Sequence, residues 1–183
     1  MKKSEVLEYL TECGSLLCEY KMPAWDELPH IDLYMDQVIE LVNSYLDIYR
    51  HFQGDSFEIT RPMINNYVKL GMMPPPIKKK YSRIHLAYIL IICTLKQTLN
   101  ISTIQKILPA EISEEEVIYT YNSFVLNQKK AIDYVCEQVE KTATPILKAE
   151  NNNPQRTNDL ILQVASSANL LKCLTEKIVD DSE

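Results

Sequence analysis

Glycine is nearly missing, with three residues in 183. Phosphate-cradling loops and nucleophile elbows depend on glycines that let the backbone turn sharply or approach a ligand closely. Nucleotide cradles of the usual kind and GxSxG sites are therefore excluded. Metal-ligand spacing is also absent. The five cysteines (Cys13, Cys18, Cys93, Cys136, Cys173) are odd in number and scattered, with no CxxC or Cys/His pair. His30, His51 and His85 lie far apart, so each reads as a packing or capping residue. Most of the cysteines fall in apolar helical stretches, where they act as small hydrophobes in a reducing compartment. Long apolar runs are lacking too. The most apolar, Ile84 to Leu95, spans twelve residues and contains His85, against about 20 needed to cross a bilayer. Glu5 and Glu8 interrupt any signal-peptide core. The expectation is a cytoplasmic protein that is not an enzyme, carries no metal or cofactor, and does not span a membrane.

One absence is local and more informative. From Ile59 to Ala110 there is no aspartate or glutamate, whereas that stretch holds eight bases: Arg61, Lys69, Lys78, Lys79, Lys80, Arg83, Lys96 and Lys106. Acids spread evenly along the chain would put about seven there. The remaining 131 residues carry all 25 acids and 11 bases, a balance of −14 against +8. A solvated basic surface ordinarily intersperses both signs, so this segregation points to a polyanion-facing patch on an otherwise acidic chain.

What is present is helical periodicity. A first helix is expected from about Ser4, as N-cap, to Glu19, with Val6, Leu7, Leu10 and Leu17 on its apolar face. An irregular segment between Pro23 and Pro29 follows, anchored to the core by the single tryptophan, Trp25. A second helix is expected from Asp32 to about Phe52, closed by Gly54. A short third helix, Arg61 to Leu70, has both ends marked, by Thr60 as N-cap with Pro62 in the first turn, and by Gly71 as the stop. The prolines Pro74, Pro75 and Pro76 forbid helix and favour an extended arm tipped by Lys78, Lys79 and Lys80. Ser82 then caps a buried apolar helix ending near Leu99, and Ser102 with Gln105 reads as a capping box for a short helix ending at Pro109. Ser113 with Glu116 reads as another, for a long helix to about Thr142. Asn151, Asn152, Asn153 and Pro154 read as a loop before a last helix from Asn158 to Val179.

On a wheel of 100 degrees per residue, Arg61, Asn65, Asn66 and Lys69 share one arc of the short helix, and Met63, Ile64, Tyr67, Val68 and Leu70 the other. The polar arc contains no acid and consists of residue types that read DNA: Arg and Lys toward guanine or phosphate, Asn toward adenine. Lys78, Lys79, Lys80 and Arg83 would supply phosphate contacts beside it. The predicted DNA-binding residues are therefore Arg61, Asn65, Asn66, Lys69, Lys78, Lys79, Lys80 and Arg83. In the two long helices, Val117, Tyr121, Phe124, Ile132, Val135 and Val139, then Leu160, Val164, Ala168, Leu171, Leu174 and Ile178, recur at near-heptad spacing. Such stripes serve either the protein's own core or a second subunit.

The stretch from Thr60 through MINNYVKLGMMPPP to KKKYSRIHL resembles the DNA-binding domain of the MerR family of transcription regulators, in which a recognition helix ending in glycine and proline leads into a wing and a Ser-capped helix. The similarity covers about Thr60 to Leu108, and Gly71 to Pro74 is its most specific part. The pattern departs from that family where Asn65 and Asn66 replace its usual Arg-Tyr pair. The whole chain, including PAWDELPHIDLYMDQVIEL, looks more closely like an uncharacterised bacterial family of unknown function with a MerR-like helix-turn-helix. The resemblance implies an all-α fold with a winged helix-turn-helix core, an added N-terminal helix and long C-terminal helices, and dimerisation through the latter. The expected organisation is residues 1–31 as N-terminal helix and Trp/Pro loop, 32–110 as DNA-binding module, and 111–183 as dimerisation or sensor region. The expected function is a transcription regulator on duplex DNA, acting as a homodimer. The alternative is a winged-helix interaction module that does not bind DNA and uses the basic surface on an acidic protein partner.

Overall fold

A computed structural model describes residues 3–54, 57–148 and 154–181. Among these residues the chain is mostly helical: α1 (Lys3–Glu19), α2 (Met35–Tyr45), α3 (Asp47–Gln53), α4 (Arg61–Lys69), α5 (Arg83–Leu95), α6 (Ile101–Ile107), α7 (Glu114–Lys148) and α8 (Pro154–Asp181), with two short strands, β1 (Leu33–Tyr34) and β2 (Lys80–Tyr81). Two compact units emerge, one of residues 22–127 and one of residues 1–21 with 128–183.

The first unit is built around α5. All ten residues from His85 to Thr94 are buried, as expected of a helix apolar on every side. Against it pack Val38, Val42 and Leu46, then Ile64 and Tyr67, and Ile104, Val117 and Tyr121, all nearly inaccessible. Trp25 does anchor its loop. Its ring meets Tyr121 edge-on with centroids 6.0 Å apart, and the Tyr121 hydroxyl donates to the Pro23 carbonyl at 2.8 Å.

Several expected boundaries are corrected. The single helix from Asp32 to Phe52 is two helices, α2 and α3, broken at Leu46 (φ −106°, ψ 16°). The reason lies in burial: Val38, Val42 and Leu46 keep a spacing of four, but Ile48 is buried too. A continuous helix would turn Ile48 about 200 degrees away from Leu46, and the break brings both to the core. Asp32 to Tyr34 is not helix either, because Leu33 and Tyr34 pair antiparallel with Tyr81 and Lys80. The apolar helix stops at Leu95 rather than Leu99, with backbone turns carrying the chain on to a buried Leu99. The cap of α6 is Asn100, whose Oδ1 accepts from the Thr103 amide at 2.9 Å; Gln105 instead donates to the Leu70 carbonyl at the end of α4. Asn precedes Ser102 in the chain and is at least as good a cap. α1 already includes Lys3, so Ser4 lies inside it. α7 passes through Pro145 to Lys148, and α8 starts at Pro154, a residue compatible with a first helical position. Proline disfavours a helix interior through one lost donor and a clash without forbidding it. Asn151, Asn152 and Asn153, and the side chains of Val6, Leu7 and Leu10, lie outside the described residues.

The Ser113 capping box forms as the spacing predicts, with the Ser113 amide donating to Glu116 Oε2 at 2.8 Å and the Glu116 amide to Ser113 Oγ at 3.3 Å. These bonds hold the Glu116 carboxyl below its ordinary value. In the second unit, α1 and α7 approach closely at Gly14, where Cys136 Sγ lies 3.9 Å from the glycine carbonyl. Along α8, Val164, Leu171 and Leu174 are all more than half exposed.

Candidate nucleic-acid interface

The segment entering α4 is fixed before the helix begins. The Asn43 carboxamide accepts from the Ile59 amide at 2.8 Å and donates to the Ile59 carbonyl at 3.0 Å. Thr60 takes the extended N-cap conformation, and its carbonyl accepts from the Met63 and Ile64 amides, although its hydroxyl makes no cap bond. At the other end Gly71 adopts φ +64°. The Met72 amide reaches the Tyr67 carbonyl at 2.9 Å and the Gly71 amide the Val68 carbonyl at 3.0 Å, a Schellman closure that needs the left-handed residue glycine supplies. Both expected ends of the helix hold.

Between these ends the two arcs separate as the wheel predicts. Ile64 and Tyr67 are buried, while Arg61, Asn65, Asn66 and Lys69 are exposed. Tyr67 shares a hydrogen bond with Cys93 of α5, and burial raises the phenol well above its ordinary value and the Cys93 thiol to about 12. Tyr67 thus clamps α4 to the core, and Cys93 is held as an unreactive thiol.

After Gly71, the buried Met72 and Met73 and the three prolines lead to a tight hairpin. Ile77 and Lys80 exchange backbone hydrogen bonds at 3.1 and 2.9 Å, leaving Lys78 (φ 51°) and Lys79 (φ 64°) as its two turn residues. A two-residue hairpin with both φ values positive is a type I′ turn, which strongly favours Asn and Gly. Lysine there carries strain of about 1–2 kcal/mol per residue. The arm expected from the prolines is thus a short strained wing, whose β2 strand continues onto β1.

The eight predicted residues do not all face outward freely. Lys69, Lys78 and Lys79 are exposed, as are Asn65 and Asn66. Arg61 donates to Asp36 in the first turn of α2. Lys80 lies over the Tyr34 ring, its Nζ 5.3 Å from the centroid. Arg83 is turned inward, stacked 5.3 Å from the Trp25 ring centroid and donating to His30 Nδ1. Sequence reasoning missed Tyr34 and Asp36. Neither has a local signal, because both reach the site through strand pairing.

The start of α2 follows β1 directly, the start of α5 follows β2, and the Arg61–Asp36 pair ties the start of α4 to that of α2. Three helix N-termini, each carrying positive dipole character, therefore gather around the small sheet. His85 organises this corner. Its Nδ1 accepts from the Ser82 amide at 3.0 Å, so Nε2 carries the proton and donates to the Pro75 carbonyl at 3.2 Å. Burial lowers its pKa below the ordinary 6.5, partly offset by the Pro75 carbonyl and Asp32. Because the folded protein prefers the neutral ring, the stability His85 contributes is complete above pH 6.5 and is lost as pH falls below it toward the folded value. Thermal melts should show Tm falling as pH drops below 6.5, and His85→Gln should flatten that segment. An equal fall in the variant would remove His85 as the cause.

Among the described residues no cluster of three or more His, Cys, Asp or Glu side chains could hold a metal ion, and no helix is long and apolar enough to cross a membrane. The sequence profile of a family described as Domain of unknown function (DUF1836) matches residues 23–124. No curated protein and no solved structure matches the chain.

Proposed function

The chain belongs to the DUF1836 family, and from that premise, which names no chemistry, we propose that it is a DNA-binding transcription regulator with a MerR-like winged helix-turn-helix. In this reading α4 lies in the major groove with Asn65 and Asn66 toward bases, while Lys69, Lys78 and Lys79 take phosphates. The observation that carries it is the wing turn. Two lysines occupy left-handed positions that Asn-Gly would fill without strain, and backbone strain that persists in a fold is concentrated where function uses the residue. The exposed, acid-free arc of α4 and the three converging N-termini support the same partner. Duplex DNA should bind at about 50 mM salt and weaken steeply as salt rises, because lysines displace condensed counterions. A mobility shift with no complex at that salt would count decisively against the reading.

The alternative, an acidic protein partner, has one observation in its favour: Arg61 and Arg83 both spend their guanidinium groups inside the protein, leaving neither wholly free for bidentate guanine contacts. The reader of bases is then Asn rather than Arg. Polyglutamate displacing the protein from DNA at equal charge would favour the acidic-partner reading. In the regulator reading the protein works in the cytoplasm, is not an enzyme, needs no cofactor, and pairs as a homodimer through α8, whose exposed apolar stripe asks for a cover. Its effector is any ligand or partner of the second unit that alters this pairing.

A further inference from the structure

The wing carries a row of side chains that phosphate contact does not explain. Tyr34 pairs with Lys80, and Lys80 pairs in turn with Ile77. Directly opposed residues project from the same face of a sheet, so Tyr34, Lys80 and Ile77 stand side by side. The adjacent pair, Leu33 with Tyr81, is 6% and 3% exposed and faces the core. The outer row is open: Tyr34 is 57% and Ile77 72% exposed. Isolated exposed apolar residues need no explanation, but here a branched aliphatic side chain sits at the base of a strained turn, immediately before Lys78 and Lys79.

A surface that met only phosphates would want charge and donors along this row; an isoleucine pressed against charged oxygens gains nothing. The place on a duplex where a small apolar group lies between two lines of phosphates is the minor groove. There, Ile, Leu, Phe or Met wedges press between base steps and open the groove. Resting on the DNA-binding reading, we infer that the wing docks on the minor groove, with Ile77 as an apolar wedge, Tyr34 packed behind it, and Lys78 and Lys79 on the flanking phosphates. The occupant is thus double-stranded DNA whose minor groove is free of the guanine amino group and whose steps unstack readily. The positive charge around the wing supplies the complementarity, since no acid occurs between Ile59 and Ala110. The wing would then contribute preference for A·T over G·C beside the bases read by α4.

The test uses the full chain and three duplex polymers at one salt concentration: poly(dA·dT), poly(dG·dC) and poly(dI·dC). Inosine lacks the minor-groove amino group of guanine but keeps its major-groove acceptors. Fluorescence titration should show the I·C and A·T duplexes bound alike, each roughly tenfold tighter than G·C. Ile77→Ser, at a position too exposed to unfold the protein, should bring the three affinities together while leaving the salt dependence intact. Equal binding of I·C and G·C, both differing from A·T, would mean major-groove selection alone and would overturn the inference, as would an Ile77→Ser variant that keeps the wild-type preference. In both cases the salt-dependent binding remains and the DNA-binding reading stands. A wild-type protein that binds none of the polymers overturns that reading and the wing inference with it.

Discussion

Replacing Lys78, Lys79 and Lys80 together by alanine will weaken binding to all duplexes alike, on the order of a hundredfold near physiological salt, and will flatten the salt dependence. Each lysine that neutralises a phosphate contributes about 0.9 to the slope of log affinity against log salt. Three such losses lower the slope by about 2 to 3, and at physiological salt that corresponds to roughly two decades of affinity. Selectivity should survive in this variant, because the asparagines on α4 remain. Asn65→Ala should do the opposite, keeping the salt slope while narrowing the gap between preferred and random sequences by about 1–3 kcal/mol.

A companion variant separates the lysines' role in binding from their role in folding. Lys78→Asn with Lys79→Gly gives the turn the residues its geometry prefers and relieves the left-handed strain at both positions. The expected gain is about 1–2 kcal/mol, raising Tm by roughly 5 °C. Binding should nevertheless fall, since two phosphate contacts leave. A more stable protein with unchanged DNA affinity would show that the strained lysines do not touch the nucleic acid.

Leu171→Glu with Leu174→Glu will convert a homodimer into a monomer without lowering Tm measured at high dilution. Val164, Leu171 and Leu174 fall within about 80 degrees of one another on the helix wheel and are 59%, 58% and 56% exposed. Burying a side chain of this size fully is worth about 1.5–3 kcal/mol, and each still has more than half of that to gain. Three such residues from each subunit give roughly 5–10 kcal/mol, set against an association cost of about 4–15 kcal/mol. The balance favours a weak dimer rather than a permanent one. A weak dimer is what two adjacent half-sites on DNA would consolidate. Sedimentation at several concentrations checks this, and a wild-type protein that stays monomeric throughout removes the dimer from the proposal.

Much of the candidate interface was legible because its signals are local. The arc of Arg61, Asn65, Asn66 and Lys69 follows from 3.6 residues per turn, and the stop at Gly71 from the need for a left-handed residue. The break at Leu46 was not legible, since Tyr34, Val38, Leu41, Val42, Tyr45 and Tyr49 continue a helical period through it. Only the packing against α5 shows that Leu46 and Ile48 must both turn inward. The Ser102 box failed for a related reason: two acceptable caps stand two residues apart, and the chain used Asn100.

The sequence by itself determined that this chain is helical, that its middle is basic and acid-free, and that a short amphipathic helix and a proline-led arm lie there. Each of these is a matter of residue type and short spacing. Tertiary structure decided which of the charges point outward. Arg61 meets Asp36 across 25 positions and Arg83 meets His30 across 53, while the pairing of β1 with β2 sets Tyr34 beside Lys80. Contacts of that range leave no periodic trace, because whether a guanidinium faces solvent or a neighbouring carboxylate depends on which elements the buried core of α5 brings together.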